Sequence, residues 1–391
     1  MSDGAGSGNL CVVGSGRHTL LFLILLLLLP AGPAAAQEEG AGIRVEAAAW
    51  AVADAATGEY LLGENADERL PMASTTKIMT ALVVLESGVD PEEEVVVSER
   101  AASFAQPIYS NVGLRAGDRI SVRDLLAALI VASGNDAAHA LAEHVGDGSA
   151  ERFVRMMNEK AARLGLENTR FANPEGLDEE GHYTSARDLA TLSARAMRHP
   201  LFRELAGTAA TVIATQDREI PLISTNELLA AYPPATGIKT GTTAEAGATF
   251  VGSAAAGGES YFAVVLDARQ DRFAAARRLL EYAFARYERE PLVREGETYA
   301  TVPVPYRRGE FVELAAAGSV EALTDVGDVV EYRVSAEDPL PGGAREGRRL
   351  GEIEVFVDGE RVGSSPLVAV RGYEEASIWD KIRYAVGEIR E

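Results

Sequence analysis

Ser74 and Lys77 stand three residues apart in Ser74-Thr75-Thr76-Lys77, and Lys239 opens the triplet Lys239-Thr240-Gly241. A serine hydroxyl one helical turn from a lysine amine lies within hydrogen-bonding reach, so the pair could run nucleophilic chemistry with the amine as base. Lysine is the informative partner. Lys77, Lys160, Lys239 and Lys381 are the four lysines among 37 Lys and Arg residues, and an ammonium can shed its proton where a guanidinium cannot. Bringing a lysine from about 10.4 to about 7 takes about 4.6 kcal/mol of environment, which burial and a neighbouring cation can supply. The unpaired N–H groups of a helix beginning at Ser74 would hold a developing oxyanion and disfavour a protonated Lys77. Lys160 and Lys381 read as residues of helical surfaces.

Taken alone, Ser-x-x-Lys arises by chance about once in a chain of this length. Its company changes that: Ser133-Gly134-Asn135 interrupts two helical stretches, and Lys239-Thr240-Gly241 opens a returning strand. Three motifs in this order match the signature of penicillin-binding proteins and serine β-lactamases, with Gly134 where that signature carries Asp. Leu70-Pro71-Met72-Ala73 before Ser74, Lys77-Ile78-Met79-Thr80-Ala81, Ser133-Gly134-Asn135-Asp136-Ala137, Asn173-Pro174-Glu175-Gly176-Leu177 and Ser185-Ala186-Arg187-Asp188 closely resemble the low-molecular-mass D-alanyl-D-alanine carboxypeptidases. The resemblance covers roughly residues 40 to 290 with specific motifs and the remainder less specifically. Thr236-Gly237-Ile238 before Lys239 departs from the wording of many members and bears on local substrate preference.

The resemblance implies an exported serine carboxypeptidase that removes the terminal D-alanine from peptidoglycan stem pentapeptides through an acyl-enzyme, and that β-lactam antibiotics inhibit covalently. Ser74 would be the nucleophile, Lys77 the base, and Ser133 the relay of a proton to the departing D-alanine. Asn135 would hold the substrate amide, Lys239 and Thr240 would face its terminal carboxylate, and the backbone N–H groups of Ser74 and Thr242 would cradle the oxyanion. Lys77 would then have to lose its proton and Lys239 to keep one. The same acyl-enzyme chemistry would serve a D,D-endopeptidase on cross-linked peptidoglycan. A β-lactamase would need a Glu-x-x-Leu-Asn segment that Glu167-Asn168-Thr169-Arg170 does not spell, and a wall-binding scaffold would not need these motifs intact.

No cofactor is called for: there is neither a GxGxxG nor a phosphate-loop pattern. His139 and His144, five apart with Glu143 between them, do not make a His-Glu-x-x-His zinc pattern, so no metal is expected. Glu92-Glu93-Glu94 and Glu179-Glu180 read as solvated loop charges. A net charge of −22 repels nucleic acid.

The elements that must position these groups follow from periodicity. Arg44 to Ala53 and Glu59 to Leu62 alternate as strands, and Met72 to Leu85 turns helical. From Pro91 to about Thr215 the pattern is mostly helical, with Ser121 and Asp124 spaced as a capping box. Strand patterns return around Ile238, at Ala248 to Ala254 and at Tyr261 to Leu266, and a helix runs from Asp271 to Arg289. The fold expected is α/β of the α+β type: one antiparallel sheet covered by helices with an inserted helical subdomain, in the manner of serine β-lactamases and penicillin-binding proteins.

At chain level, Leu20 to Leu29 after Arg17 and His18, with Ala34-Ala35-Ala36 beyond, reads as a signal peptide over residues 1–36. That places the protein outside the cytoplasm, at the outer face of its membrane, and Cys11, the single cysteine, falls inside the segment. The catalytic domain would span 37–290 and a small β-sandwich-like domain 291–372, where short alternating runs (Tyr299 to Tyr306, Val320 to Leu323, Val329 to Val334, Glu352 to Val357) replace helices. Residues 373–391 form an amphipathic helix with Ile378, Trp379, Ile382, Ala385, Val386 and Ile389 on one face, a candidate membrane contact.

Overall fold

The structure, a computed structural model, describes residues 42–337, 340 and 342–388. The expected signal segment with Cys11, and the tail residues Ile389 and Arg390, lie outside the described residues.

Five antiparallel strands form the central sheet, in the order Tyr60–Glu64, Ala47–Asp54, Glu259–Ala268, Gly247–Ala256, Ala235–Thr243. The two earliest strands thus join the three later ones through the pairing of Ala47–Asp54 with Glu259–Ala268, which is why the helices between them become an insertion. Period-two alternation divides the sheet between two cores. Ala49, Ala51 and Ala53 with Phe262, Val264 and Leu266 face the helical insertion. Trp50 and Val52 with Tyr261, Ala263 and Val265 face the helix Arg272–Arg286. The alanine face lets the insertion approach closely.

At the centre of the insertion lies Lys77–Leu85, a helix apolar all round, with residues 77 to 84 all buried. Helices Val122–Ile130, Asn135–Val145, Ala150–Arg163 and Ala186–Met197 surround it. Ser121, Ser149 and Ser185 cap three of these by accepting a backbone N–H three residues on. The Ser121 cap is half of the expected box: the Asp124 carboxylate accepts from Ala214 N at 3.0 Å instead of turning back. That bond anchors a hairpin, Ala210–Ala214 with Glu219–Ile223, inside a stretch that reads as helical. A second, Glu94–Val96 with Arg119–Ser121, breaks the same stretch. Non-local pairing overrode the local pattern in both.

Lys160, expected on an open surface, is instead 15 % exposed and paired with Glu86, whose other oxygen takes Arg195 Nε at 2.8 Å and His199 Nε2 at 3.2 Å. Burial works against the Glu86 carboxylate, yet the hydrogen bonds from Lys160, His199 and Arg195 hold its pKa at about 2. A depressed acid stabilises the fold fully above its unfolded value near 4.5 and loses that contribution as pH falls toward 2. Glu86→Gln should therefore cost about 2 kcal/mol at pH 7, the full shift being discounted for solvent screening of partly exposed partners, with the gap to wild type closing between pH 4.5 and 2 in thermal unfolding.

Beyond the central sheet the helix Arg272–Arg286 ends three residues earlier than its apolar pattern suggests. Tyr287–Val293 becomes a strand paired with Val320–Asp325, and the Arg286–Asp325 ion pair closes the junction. Five further strands make the second sheet, in the order Thr298–Pro303, Phe311–Ala316, Glu360–Ala369, Arg349–Val357, Val330–Ala336. Glu360–Ala369 escapes the sequence pattern because Gly363, Ser364, Ser365 and Pro366 interrupt its alternation. Leu292, Val293 and Val320 pack with Leu314, Ile353, Val355 and Leu367 in one core between the two small sheets. Arg289 pairs with the buried Asp54, and Tyr261 Oη donates to Tyr287 O at 3.0 Å, so this region is fastened to the central sheet. The helix Ile378–Glu388 follows, with Ile378, Trp379, Ile382 and Val386 exposed on it.

Candidate active site

The α-helix does not begin at Ser74. Ala73–Thr76 is a turn of 3-10 helix and the α-helix starts at Lys77. Three residues per turn eclipse positions i and i+3, so the spacing still brings the two side chains together: Lys77 Nζ donates to Ser74 Oγ at 2.9 Å. Thr75 Oγ1 donates to Met72 O at 2.6 Å and Thr76 Oγ1 to Ala73 O at 2.8 Å, holding Ala73 at a positive φ of 48°.

Lys77 has two further acceptors, Asn135 Oδ1 at 2.7 Å and Glu175 O at 2.6 Å. Asn135 is delivered as the first residue of its helix, with its N–H on Ser110 O at 2.8 Å. Gly134 suits this place because a Cβ there would lie 2.8 Å from Asp136 Oδ1. That carboxylate is fully buried and receives Val112 N at 3.1 Å and Leu114 N at 3.0 Å. Ser133 precedes at a φ of 61° and is buried; among the described residues no hydrogen bond joins its hydroxyl to Ser74 or Lys77.

Glu175 O is placed by a turn in which Asn173 Oδ1 accepts Gly176 N at 2.8 Å and Leu177 N at 3.0 Å. Gly176 has a φ of 85°, and a Cβ there would sit 2.1 Å from Ala73 O. Only glycine lets this turn press against the backbone beside Ser74.

Lys239, Thr240, Gly241 and Thr242 lie on Ala235–Thr243, the edge strand of the central sheet. A Cβ on Gly241 would lie 2.9 Å from Ser74 N, so the strand passes directly alongside the Ser74 turn. Thr240 Oγ1 meets Thr225 Oγ1 at 2.6 Å, and Lys239 Nζ reaches Thr240 O at 3.2 Å. Behind the strand, Arg272 Nη1 donates to Gly241 O at 2.5 Å, Thr242 Oγ1 at 2.9 Å and Thr249 O at 3.2 Å. Three segments distant in sequence thus converge around one hydroxyl.

Residues 34–270 match the family described as D-alanyl-D-alanine carboxypeptidase. The chain belongs to that family. Residues 287–375 of this D-alanyl-D-alanine carboxypeptidase family member match the C-terminal domain of penicillin-binding protein 5. Similar proteins include the D-alanyl-D-alanine carboxypeptidases DacF of Bacillus subtilis, 34 % identical over 94 % of this chain and 97 % of that one, and DacC of Escherichia coli, 33 % identical over 92 % of each. Among solved structures, DacD from Francisella tularensis superposes with a TM-score of 0.66 at 26 % identity, over 86 % of this chain and 96 % of that one. A Streptomyces DD-transpeptidase gives 0.59 at 33 % identity, over 62 % of this chain and 98 % of that one.

The electrostatics of this family member's site rest mainly on burial. Desolvation brings Lys77 to about 7, against the opposing pull of the Glu175 and Asp136 carboxylates. Lys239 is also fully buried, and desolvation, then the Lys77 and Arg272 charges, press it well below its ordinary value. The ammonium at Lys239 that the resemblance implies is thus disfavoured by its surroundings in the free site. Among the described residues the charges that act most on Lys239 are the cations Lys77 and Arg272, so an anion bound beside it would favour its charged form.

Glu175, Asp136, Thr225 and Arg272 carry this arrangement without having been assigned parts in it from sequence. Glu175 acts through its carbonyl, which no side-chain pattern reports. The two histidines weighed as a zinc pattern face different partners: His139 Nδ1 meets Glu175 Oε1 at 2.6 Å while His144 Nε2 reaches Glu93 at 3.3 Å. Glu92 and Glu94 form exposed pairs with Arg123 and Arg119.

Proposed function

We propose that this protein is a serine-type D-alanyl-D-alanine carboxypeptidase acting on peptidoglycan stem pentapeptides. The observation that carries the reading is the set of three acceptors around Lys77 Nζ, at 2.9, 2.7 and 2.6 Å, in a site that lowers its pKa to about 7. Once neutral, the amine keeps two N–H bonds, to Asn135 Oδ1 and Glu175 O, and turns its lone pair to the Ser74 hydroxyl.

Ser74 Oγ attacks the carbonyl carbon of the penultimate D-alanine as its proton passes to Lys77 Nζ. The carbonyl oxygen becomes an oxyanion between the N–H groups of Ser74 and Thr242, where preorganised donors act most strongly. Collapse breaks the peptide C–N bond, and the leaving nitrogen takes a proton delivered through Ser133. Water then attacks the ester carbon, giving its proton to Lys77, which passes it to Ser74 Oγ as the ester C–O bond breaks and the shortened peptide acid is released. The substrate's terminal carboxylate faces Lys239 and Thr240, and its negative charge favours the Lys239 ammonium. A β-lactam presents the same carbonyl and carboxylate, but its leaving nitrogen stays tethered. Glu167-Asn168-Thr169-Arg170 does not spell the Glu-x-x-Leu-Asn segment that would supply a deacylating base, so the adduct persists.

Labelled penicillin tests this directly. The expected result is a long-lived adduct on the peptide containing Ser74 together with D-alanine release from a pentapeptide ending in D-Ala-D-Ala. Rapid turnover of the label, or no release, would overturn the reading. Cleavage of a cross-linked dimer at a comparable rate would shift it to endopeptidase action.

The proposal extends to location: export by the 1–36 segment and attachment at the outer face of the cytoplasmic membrane through Ile378–Glu388. Supporting it, Ile378 and Trp379 are 67 % and 71 % exposed, with Ile382 and Val386 on the same face. Deleting the chain from Tyr373 onward should move the protein from membrane to soluble fractions. An unchanged distribution would rule the anchor out.

A further inference from the structure

His182 lies outside every motif that defines the family resemblance, yet its ring is buried between the two segments that make the site. Ala172 N–H donates to Nδ1 at 2.9 Å, and Nε2 lies 2.8 Å from Thr76 Oγ1. The Thr76 hydroxyl proton is committed to Ala73 O at 2.8 Å. With Nδ1 accepting and Thr76 Oγ1 already donating elsewhere, Nε2 must carry the hydrogen, and the tautomer is set by its partners. Phe171 meets the ring edge-on at 6.0 Å and fixes its plane.

We infer that His182 is a positioning residue for acylation, a bridge that locks the Ser74 turn to the segment supplying the third acceptor of Lys77. The chain of bonds runs from Ala73 O, which adjoins Ser74, through Thr76 and His182 to Ala172. Ala172 directly precedes the Asn173–Leu177 turn, and Glu175 O in that turn accepts from Lys77 Nζ. A shift at either end therefore moves the hydroxyl and the base relative to each other. Ala73 at positive φ is a conformation that a non-glycine residue keeps only when its surroundings impose it, and the carbonyl that Thr76 holds is its own.

The ring's surroundings favour the neutral state this bridge needs. Burial lowers His182 to about 4, the Asp178 carboxylate opposes that, and the Lys77 charge assists it. Protonation would put a hydrogen on Nδ1 and break the Ala172 bond, so the bridge is intact throughout the range in which Lys77 becomes a base.

The inference rests on the acyl-transfer reading and is tested within it. Acylation by labelled penicillin is followed at pH 8, separating noncovalent affinity from the covalent rate constant, with thermal melts for each variant. His182→Phe keeps the bulk and removes both bonds; its covalent rate constant should fall about 30-fold with affinity within about twofold, since small misplacements of reacting groups cost about this much. His182→Gln, which again offers one acceptor and one donor, should recover to within about threefold. Thr76→Val should match the loss, and the double variant with Phe should be no worse than either alone, because one bridge is broken twice. Wild-type rates in Thr76→Val, multiplying losses in the double variant, or a Gln variant as slow as Phe would each overturn the bridge. Should His182→Phe fail to fold, Thr76→Val and His182→Gln decide it. Absence of label on the wild-type protein would instead sink the acyl-transfer reading, and this inference with it.

Discussion

Lys77→Arg should reduce acylation of Ser74 by labelled penicillin by about a thousandfold or more, with the fold retained. The guanidinium keeps a positive charge and hydrogen-bond donors, so a purely electrostatic role for Lys77 would survive the change; a base that must accept the Ser74 proton would not. The site makes the contrast severe. Lys77 is wholly buried with acceptors at 2.6 to 2.9 Å on three sides, and a guanidinium brings donors for them but no lone pair for the Ser74 proton. In the wild-type protein the acylation rate should rise with pH through a midpoint at about 7, as the neutral amine becomes the prevailing form. Stopped assays between pH 5 and 9 would show it. A flat profile, or appreciable acylation in Lys77→Arg, would remove Lys77 from the base role.

Ser74→Ala should abolish both the covalent adduct and D-alanine release, by at least about a thousandfold, while the melting temperature moves little. Among the described residues the hydroxyl's hydrogen bond is the one from Lys77 Nζ, and the amine retains Asn135 Oδ1 and Glu175 O when it is gone. Neither the Ala73–Thr76 turn nor the close pass of Gly241 depends on the Ser74 side chain, because the Thr75 and Thr76 hydroxyls hold the turn and the strand passes beside Ser74 N. The variant should accordingly still bind penicillin reversibly. Loss of reversible binding together with a lowered melting temperature would mean that Ser74 is structural, and release at the wild-type rate would place the nucleophile elsewhere.

Much of the fold was legible because alternation and helical periodicity report which face is buried. Arg44 to Ala53 was legible as a strand, but from Ala47 on the run is apolar on both faces, and only packing divides Ala49, Ala51 and Ala53 from Trp50 and Val52. The end of the helix at Arg286 was not legible: Tyr287 to Arg289 continue an apolar helical rhythm, and only the non-local partner strand Val320–Asp325 draws them into a sheet. Lys160 looked like a surface lysine for a related reason. Its partner Glu86 lies 74 positions away, and its burial depends on how two helices pack.

What the sequence by itself determined is the chemical inventory and its local spacing: a serine and a lysine three apart, Asn135 at a helix start, and Lys239-Thr240-Gly241 on a strand. Local geometry suffices for these, since a 3-10 turn and an α-helix both bring positions i and i+3 together. Tertiary structure alone decided the protonation of the site and its bracing. Desolvation of Lys77 and Lys239 depends on everything packed around them, the Glu175 acceptor is a backbone carbonyl that any residue would supply, and the His182 bridge spans 106 positions. Residue type specifies which proton can move; packing specifies where its pKa falls and which atoms hold it there.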